Sequence, residues 1–388
     1  MTDTVGQLQR LGLSRNPFPP ATTGTGILEE LSLPESWETD LRGRIKELAE
    51  SEGDKALVIE GGYGAGKTFI LRWIEAEVLP GHRIKPFFFE NPGVAFYDLA
   101  NRLMRQVGRY EVAKALWEML YPDSPEDRQT LFSLEFGQWL ASLNNRASRN
   151  KAIQSLSAAL ESHGLAEDEE ILNKLSRLIV ETGERPYFEY RDFVPRGNRS
   201  LVAEREEPAY FRSLVKILQK ITDADGIAFL LDEFEDVALP GRRLNKSQAA
   251  SYISTLRRLL DFANSEQLWV VLSTTPEGFA RTAELDDSLL QRFGRRYEIP
   301  QLTADDAYWM VAQRLNSAHT EGHEGLHPFS KDSLDLLNET SRSSPRRLTK
   351  IMWHAIGLAV ERRATAPLSG ELVQEAEGQL YAVETREA

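Results

Sequence analysis

The chain has 388 residues, of which 41% are hydrophobic and 27% charged, with a formal net charge of −13 and no cysteine. This composition is ordinary for a globular protein, and it excludes disulfides, thiolate metal sites and a globally basic surface for nucleic acid. No run approaches the roughly 18 apolar residues of a membrane span and the first residues lack a signal-peptide pattern, so we expect a cytoplasmic protein without a membrane segment.

The beginning of the chain predicts a lead segment, a helix and a strand. Residues 7–36 are rich in Pro, Gly and Thr and include a rigid extended stretch at 16–20, so we expect a lead segment lying on the core. Residues 37–51 have a helical pattern, and 55–60 is an apolar run typical of a buried strand.

A glycine-rich loop follows this strand and precedes a helix predicted for 69–78. Its sequence is Gly61-Gly62-Tyr63-Gly64-Ala65-Gly66-Lys67-Thr68, which matches the phosphate-binding pattern G-x-x-x-x-G-K-T. In such a loop the backbone N–H groups and the lysine contact nucleotide phosphates, and the threonine hydroxyl binds Mg²⁺. The flanking strand and helix favour this interpretation over a plain glycine turn, and we predict nucleotide binding from Gly61 to Phe69.

The region after the loop predicts one more strand and then only helices for about a hundred residues. Residues 84–89 form an apolar strand and 97–107 a helix, whereas 111–205 shows helical patterns and no comparable strand. We interpret 111–205 as a helical insertion that could hold a protein partner. Arginines interleave with aromatic residues at its end, a composition that suits nucleic acid, a protein partner or a poorly ordered linker. The arginines proposed for DNA are Arg191, Arg196 and Arg199.

The next predicted strand, 227–231, ends in two carboxylates. Asp232 and Glu233 follow it directly, where an open parallel sheet faces its ligand, so we expect Asp232 to bind Mg²⁺ and Glu233 to activate water. Glu235 and Asp236 are expected to be solvated loop charges. A basic loop at 240–246 could contact DNA or simply be solvated, and its cations are Arg242, Arg243 and Lys246.

The last predicted strands again end in polar residues. Residues 268–272 form a buried strand that leads into Ser273-Thr274-Thr275, and arginines precede a short strand at 297–299. From residue 301 only helices are predicted, starting at Thr303, Ser330, Pro345 and Ser369. Three histidines, His319, His323 and His327, recur every fourth residue; we favour a solvated loop over a metal site, because the glycines around them disfavour a helix.

The order of these motifs resembles the AAA+ ATPases, and within them the origin-recognition initiator, ExeA-type and transposition-regulator branch. The resemblance covers about 40–110 and 206–382. It implies that Gly61–Thr68 is the Walker A motif, that Asp232 and Glu233 close the Walker B motif, and that Thr275 is the sensor-1 residue. A looser similarity, at 231–236 and 275–277, is to ATP-binding proteins of bacterial phage-exclusion (BREX) systems.

The resemblance also implies roles for arginines. Leu290-Gln291-Arg292-Phe293 is similar to the arginine-finger segment of the family and indicates Arg292, with Arg295 and Arg296 as competitors. Ser344-Pro345-Arg346-Arg347-Leu348 resembles the sensor-2 turn and indicates Arg346, with Arg347 as competitor. This sequence departs from the family in its long insertion and in having Ser343-Ser344 before the sensor-2 proline. We also expect no winged helix after the lid.

The implied fold is α/β, a P-loop NTPase of the AAA+ type with a parallel sheet between helices, a large helical insertion and a C-terminal helical lid. The expected divisions are a lead segment and first helix (1–48), an α/β core segment with Walker A (49–110), the insertion (111–205), an α/β core segment with Walker B (206–300) and the lid (301–388). The implied function is binding and hydrolysis of ATP with Mg at an interface of a homo-oligomer, to regulate DNA transactions in a mobile element or in antiviral defence. The alternative is a nucleotide-gated adaptor with little turnover whose insertion holds a protein.

Overall fold

The computed structural model describes residues 2–18, 32–53, 55–90, 96–120, 136–166, 169–182, 209–238 and 244–387. Within these ranges the chain forms one five-stranded sheet with helices before, between and after its strands. The strands are β1 (Ala56–Glu60), β2 (Ile84–Phe89), β3 (Gly226–Leu231), β4 (Leu268–Thr274) and β5 (Arg295–Glu298). Their order in the sheet is β2-β3-β4-β1-β5.

The central strands pair in parallel. Ile84 of β2 lies opposite Gly226 of β3, and Ile227 of β3 lies opposite Leu268 of β4. Every residue of β1, β3 and β4 is buried, as expected when both faces of a parallel sheet are covered by helices. The polar residues that follow β3 and β4 therefore lie at the same edge of the sheet.

Helices occupy most of the remaining described chain. Those before β4 are α1 (Thr2–Arg10), α2 (Glu35–Glu50), α3 (Lys67–Trp73), α4 (Phe96–Val107), α5 (Arg109–Leu120), α6 (Phe136–Ser142), α7 (Arg146–Ser162), α8 (Glu169–Val180), α9 (Ala209–Ile221), α10 (Glu235–Ala238) and α11 (Lys246–Ala263). Those after β4 are α12 (Pro276–Leu285), α13 (Asp287–Arg292), α14 (Ala304–Asn316), α15 (Lys331–Asp335), α16 (Glu339–Arg342), α17 (Pro345–Glu361) and α18 (Gly370–Glu387).

The chain divides into two compact units. One comprises Met1–Arg44, Glu60–Trp73 and Tyr297–Ala388, and the other comprises Ile45–Ile59 and Ile74–Arg296. In the second unit, α5 to α8 share a hydrophobic core with the sheet. The rings of Trp117 and Trp139 lie 5.5 Å and 6.1 Å, centroid to centroid, from Phe136. The helices predicted within 111–205 are thus confirmed where the structure describes them.

In the first unit, the lead segment packs against the C-terminal helices. Leu11, Leu13 and Phe18 are buried, and the Ser14 hydroxyl donates to the Ala318 carbonyl at 2.9 Å. The Asn16 side-chain amide donates to the Trp353 carbonyl at 3.2 Å. The lead segment begins with α1, a helix that the sequence analysis did not predict.

Helix caps explain where the C-terminal helices begin. The Thr303 and Asp306 side chains form a reciprocal capping box at the start of α14, and Ser330 with Ser333 does the same for α15. α17 begins with Ser344 as its cap and Pro345 as its first residue, a position that needs no backbone N–H. These predicted helix starts are confirmed.

Two other elements differ from their predictions. The helix after the phosphate loop is α-helical only to Trp73 and continues as a π-helix over Ile74–Val78. β4 extends through Ser273 and Thr274, because both hydroxyl residues remain buried in the sheet. The Ser273 and Thr274 hydroxyls, which were expected to follow the strand, therefore lie within it.

The histidine segment is less solvated than predicted. His319, His323 and His327 lie outside any helix, and His319 forms an isolated antiparallel bridge with Leu13. His319 and His327 are half-buried, and the ring centroids of His323 and His327 are 4.2 Å apart in a stacked arrangement. Burial, together with the neighbouring histidines, lowers the pKa of His327. The segment is packed because the close approach of Gly12 places the lead segment against these rings. Across the described ranges, no group of three or more His, Asp or Glu side chains has the arrangement of a metal site.

Among the helices in the described ranges, none combines the length and the apolar character that crossing a membrane would require.

Candidate nucleotide site

The loop after β1 has a backbone conformation that depends on glycine. Gly64 and Gly66 have φ angles of 81° and 98°, a region that residues with a side chain rarely adopt. A Cβ atom on Gly61 would lie 2.9 Å from Ile299 Cδ1 and 3.0 Å from Ala65 Cβ, so this position is also closely packed. The loop therefore turns tightly between β1 and α3, as a phosphate-binding loop requires.

Lys67 is folded into this loop. The residue is 9% exposed, and its ammonium group donates a hydrogen bond to the Gly61 carbonyl at 3.1 Å. Thr68 is exposed in the first turn of α3, and Phe69 beside it is half-buried. The first helical turn thus carries an exposed threonine beside a buried lysine.

The first helical turn of α17 contacts the same loop. The Arg346 N–H donates to the Gly64 carbonyl at 3.4 Å, and its guanidinium lies 4.5 Å from the centroid of the Tyr63 ring. Arg347 points elsewhere, with its guanidinium 5.3 Å from the ring centroid of Tyr381. Of the two arginines considered for sensor 2, Arg346 is the one beside the phosphate loop.

The end of β3 carries the two predicted carboxylates. Asp232 is buried, and its Oδ1 accepts hydrogen bonds from the Glu233 N–H at 3.0 Å and from the Ser273 hydroxyl. Glu233 is exposed and has a φ angle of 52°, in the left-handed region that is strained for a residue with a Cβ atom. A buried, fixed carboxylate and an exposed one therefore follow one another at this strand end.

The Ser273 contact is a feature that the sequence interpretation missed. Thr275 was predicted as the sensor, but in the structure its hydroxyl caps α12 by accepting from the Gly278 N–H at 3.1 Å. Ser273, which is fully buried, is the hydroxyl residue that contacts Asp232. The alternation of side chains along β4 could have indicated it, since Ser273 and Thr275 are two residues apart on the same face.

The acidic residues after Glu233 differ from their prediction as solvated charges. Glu235 and Asp236 are 6% and 9% exposed, respectively. They lie in the first turn of the short helix α10. Carboxylates at the first turn of a helix are favoured by its dipole.

The three candidate finger arginines have different surroundings. The Arg292 Nε lies 2.6 Å from Asp261 Oδ1, and its terminal nitrogen donates to the Ser288 carbonyl at 2.9 Å. Arg295 donates to the Glu47 carbonyl at 3.3 Å, and the Arg296 guanidinium lies 4.5 Å from the Phe279 ring centroid. The ion pair of Arg292 with Asp261 is partly open to solvent.

Most residues proposed for DNA contact lie outside the described residues: these are Arg191, Arg196, Arg199, Arg242 and Arg243. Lys246 is described, and it is exposed at the first position of α11, directly after the cap Asn245.

The fold and the loop together define a class of protein. A phosphate-binding loop follows β1 of a parallel sheet with the order β2-β3-β4-β1-β5, acidic residues follow β3, and helices alone follow β5. This is the α/β fold of a P-loop protein, with a parallel sheet between helices and further helices after the last strand, as the sequence predicted.

Comparisons with known proteins give distant likenesses. No protein-family model matches the chain. An uncharacterized HTH-type transcriptional regulator from Methanocaldococcus jannaschii is 21% identical over 166 residues, which is 42% of this chain and 38% of that protein. The match therefore spans less than half the length of that relative.

Two solved structures of Aeropyrum pernix proteins are also similar. The ORC1 protein in complex with DNA is 16% identical, with a TM-score of 0.44, over 92% of this chain and 68% of that one. The ORC2 protein in its ADPNP and ADP complexes is 15% identical, with a TM-score of 0.46, over 90% of this chain and 69% of that one.

Proposed function

We propose that this protein binds ATP with Mg²⁺ and hydrolyses it. The observation that carries the proposal is the buried Lys67 ammonium, held 3.1 Å from the Gly61 carbonyl inside a loop with left-handed glycines. A cation in this position can exchange its carbonyl partner for phosphate oxygens without a large movement. The resulting charge-assisted bonds are roughly twice as strong as neutral ones.

The donor set suits magnesium. Mg²⁺ prefers oxygen ligands and usually takes one or two from the protein, with water and phosphate supplying the others. Thr68 is an exposed hydroxyl residue and Asp232 is a carboxylate oriented by the Glu233 N–H, so Thr68 and Asp232 would hold the ion. Bound there, Mg²⁺ would neutralise charge on the phosphates.

Glu233 is the proposed general base. Glu233 is an exposed residue whose carboxylate can accept a proton from a water molecule, whereas Asp232 is buried and accepts hydrogen bonds from Ser273 and from the Glu233 N–H. Arg346, at the phosphate loop, would donate to the phosphates, and Thr275 retains its proposed sensor role. The two carboxylates are assigned different roles because Asp232 is buried and Glu233 is exposed.

We further propose that hydrolysis takes place between subunits of a homo-oligomer, with Arg292 acting on the nucleotide of a neighbouring copy. In the single chain Arg292 pairs with Asp261, and the two side chains are 31% and 49% exposed. Ion pairs this open to solvent contribute about 0–1 kcal/mol, so releasing the arginine is inexpensive. An arginine finger can accelerate hydrolysis about 10³-fold or more.

The proposed task of hydrolysis is to regulate DNA transactions, in a mobile element or in antiviral defence. The exposed Lys246 and the name of the archaeal relative, an HTH-type transcriptional regulator, support a role at DNA. We also propose the domain boundaries that the sequence predicts, which follow residues 48, 110, 205 and 300. The competing candidate is a nucleotide-gated adaptor with little turnover, whose 111–205 region holds a protein.

The nucleotide chemistry is tested with two variants. Lys67→Ala should abolish tight binding of a fluorescent ATP analogue, and Glu233→Gln should retain binding while phosphate release stops. The matched controls are Lys46→Ala, at an exposed lysine of α2, and Glu161→Gln, at an exposed glutamate of α7. Undiminished hydrolysis in both Lys67→Ala and Glu233→Gln would refute the assignment.

The biological task requires a separate experiment. ATPase activity is measured with and without duplex DNA while light scattering reports the size of the assembly. DNA stimulation together with growth of the oligomer supports the regulator. Turnover and size that are both indifferent to DNA would reject it in favour of the adaptor. Arg292→Ala should lower turnover at least about tenfold, and mixing it with Glu233→Gln should restore some of the activity if the arginine acts across subunits.

A further inference from the structure

The phosphate loop contains an exposed aromatic residue at a position where nucleotide chemistry does not need one. Tyr63 is 81% exposed, the highest value among the large hydrophobic residues in the described chain. Glycine, alanine and the lysine account for the turn and the phosphate contacts of the loop, but they do not account for Tyr63. Its ring lies against the guanidinium of Arg346.

Both the backbone and the side chain of Arg346 contact the loop at Gly64. Its backbone N–H donates to the Gly64 carbonyl, and a Cβ atom on Gly64 would lie 3.0 Å from Arg346 Cβ and 3.1 Å from its Cδ. The absence of a side chain on Gly64 thus lets the arginine stem pass directly over the loop. The guanidinium at the end of the stem then lies 4.5 Å from the Tyr63 ring centroid.

The guanidinium has an aromatic partner rather than an anionic one. Within the described ranges of the chain, Arg346 forms no ion pair with a carboxylate, in contrast to Arg292 with Asp261. An arginine that stacks on a ring uses the face of its guanidinium, and its N–H donors lie in the plane of that group. Stacking therefore leaves those donors available to phosphate oxygens.

We propose that Tyr63 is a positioning residue that pre-organises Arg346 for the phosphates of the bound nucleotide. The inference rests on the proposed ATP site and names a further residue of that site. Ordering a long, flexible side chain at a binding site costs about 0.5–1.5 kcal/mol. A cation–π contact at an exposed site is worth about 0.5–1 kcal/mol, which is sufficient to offset much of that cost before the nucleotide arrives. Tyr63 acts through Arg346 and not through its own hydroxyl.

A double-mutant cycle tests this role, with the affinity for a non-hydrolysable ATP analogue as the readout. Tyr63→Ala should weaken binding about threefold, the change expected from one exposed cation–π contact. Arg346→Ala should weaken it by more, and the double variant should bind like Arg346→Ala alone. Tyr63→Phe, which keeps the ring, should bind like the native protein. Tyr63→Leu, which keeps only apolar bulk, should bind like Tyr63→Ala.

Two controls distinguish a specific effect of Tyr63 from a general loss of structure. Tyr110→Ala removes another exposed tyrosine, on α5, and should leave affinity unchanged. Thermal unfolding of every variant shows that each is folded. The inference is overturned if Tyr63→Ala binds normally, if its effect persists in the Arg346→Ala background, or if Tyr63→Phe is as weak as Tyr63→Ala. If Lys67→Ala binds as tightly as the native protein, the proposed site itself fails; if only Lys67→Ala loses binding, the role of Tyr63 alone fails.

Discussion

Two strand ends carry the proposed chemistry, and they obtain a left-handed backbone in different ways. After β1 the positive φ angles belong to glycines, 81° at Gly64 and 98° at Gly66. After β3 the positive φ angle, 52°, belongs to Glu233. Glycine adopts this conformation without steric cost, whereas a residue with a Cβ atom loses about 1–2 kcal/mol. The first strand end is relaxed and the second stores strain.

The strained strand end is held by hydrogen bonds on both sides of Glu233. The Asp232 N–H donates to the Phe89 carbonyl at 2.9 Å, and the Phe234 N–H donates to the Ser273 carbonyl at 3.0 Å. Neighbouring strands therefore fix the residues before and after Glu233, and the turn between them is forced. Strain of this kind persists only where the surrounding structure determines the conformation, and it is common at functional sites. Here it exposes the carboxylate proposed as the base.

The relaxed strand end should be the more sensitive of the two to a single methyl group. Gly66→Ala places a side chain at a φ angle of 98°, in otherwise open space, so the cost comes from the backbone alone. Realigning the loop would lose about two phosphate hydrogen bonds, and we expect affinity for an ATP analogue to fall about 100-fold or more. Calorimetric titration measures this.

Gly62→Ala is the control for Gly66→Ala. Gly62 is exposed, its φ angle is not positive, and a Cβ atom there would meet nothing within 4 Å. Gly62→Ala should keep the native melting temperature, whereas Gly66→Ala should lower the free energy of unfolding by about 1–2 kcal/mol. Equal stability of the two variants would mean that the left-handed glycine is not required.

At the strained strand end, glycine should be more stable than the residue that now occupies the left-handed position. Glu233→Gly relieves the strain and Glu233→Ala does not, so the glycine variant should be the more stable of the two by about 1 kcal/mol. In a helix or strand alanine is normally the more stable choice. Both variants lose the proposed base and should hydrolyse ATP at least about 100-fold more slowly. Urea unfolding gives the stability difference, and an alanine variant as stable as the glycine variant would disprove the strain.

The contrast between the strand ends also shows what the sequence can and cannot predict. Continuous apolar runs such as 227–231 predict buried parallel strands, and the serine and threonine caps predict where the C-terminal helices begin. The glycine-rich pattern likewise predicts a loop between a strand and a helix, and in the structure Gly64 and Gly66 of this loop are left-handed. These features depend on local residue order, which the sequence displays directly.

Contacts between distant segments are what the sequence did not predict. The strain at Glu233 depends on hydrogen bonds to β2 and β4, and the Tyr63 stack depends on α17, which is about 280 residues away. Ser273 meets Asp232 because of strand register, and the aromatic packing of α5 and α6 depends on the fold around it. A pattern within one segment carries no information on such partners.

The Ser273 contact offers a milder test of the strained strand end. Ser273 is fully buried, and Ser273→Ala would deprive Asp232 of one hydrogen-bond donor. We expect a loss of about 2 kcal/mol in the free energy of unfolding, because a hydrogen bond to a buried carboxylate is removed. Thr274→Val, at the next residue, removes only a 3.4 Å contact to the Thr275 carbonyl and should cost less. If the two variants cost the same, the Asp232 contact contributes no special stability.

The relaxed strand end has a neighbour that allows the smallest test. Tyr297 lies on β5, next to the end of β1, where the Ile299 N–H donates to the Glu60 carbonyl at 2.8 Å. Among the described residues, the Tyr297 hydroxyl has no hydrogen-bond partner although it is buried. Burial, aided by the charge of Asp40 and opposed by that of Arg44, raises the pKa of Tyr297 to about 12.

Tyr297→Phe should therefore change stability little at neutral pH, by about 1 kcal/mol or less and in the stabilising direction, since a buried polar group without a partner is costly. Because the folded-state pKa lies above the ordinary value near 10, the native protein keeps this proton between pH 10 and 12 while the unfolded chain loses it. This ionisation leaves the free energy of unfolding unchanged below pH 10 and lowers it as the pH rises from 10 to 12, by about 1.4 kcal/mol per pH unit. The Tyr297→Phe variant does not lose stability in this way. Above pH 10 its free energy of unfolding, measured in urea, should therefore exceed that of the native protein by a growing amount. Parallel pH profiles would mean that Tyr297 ionises as readily in the fold as in the unfolded chain.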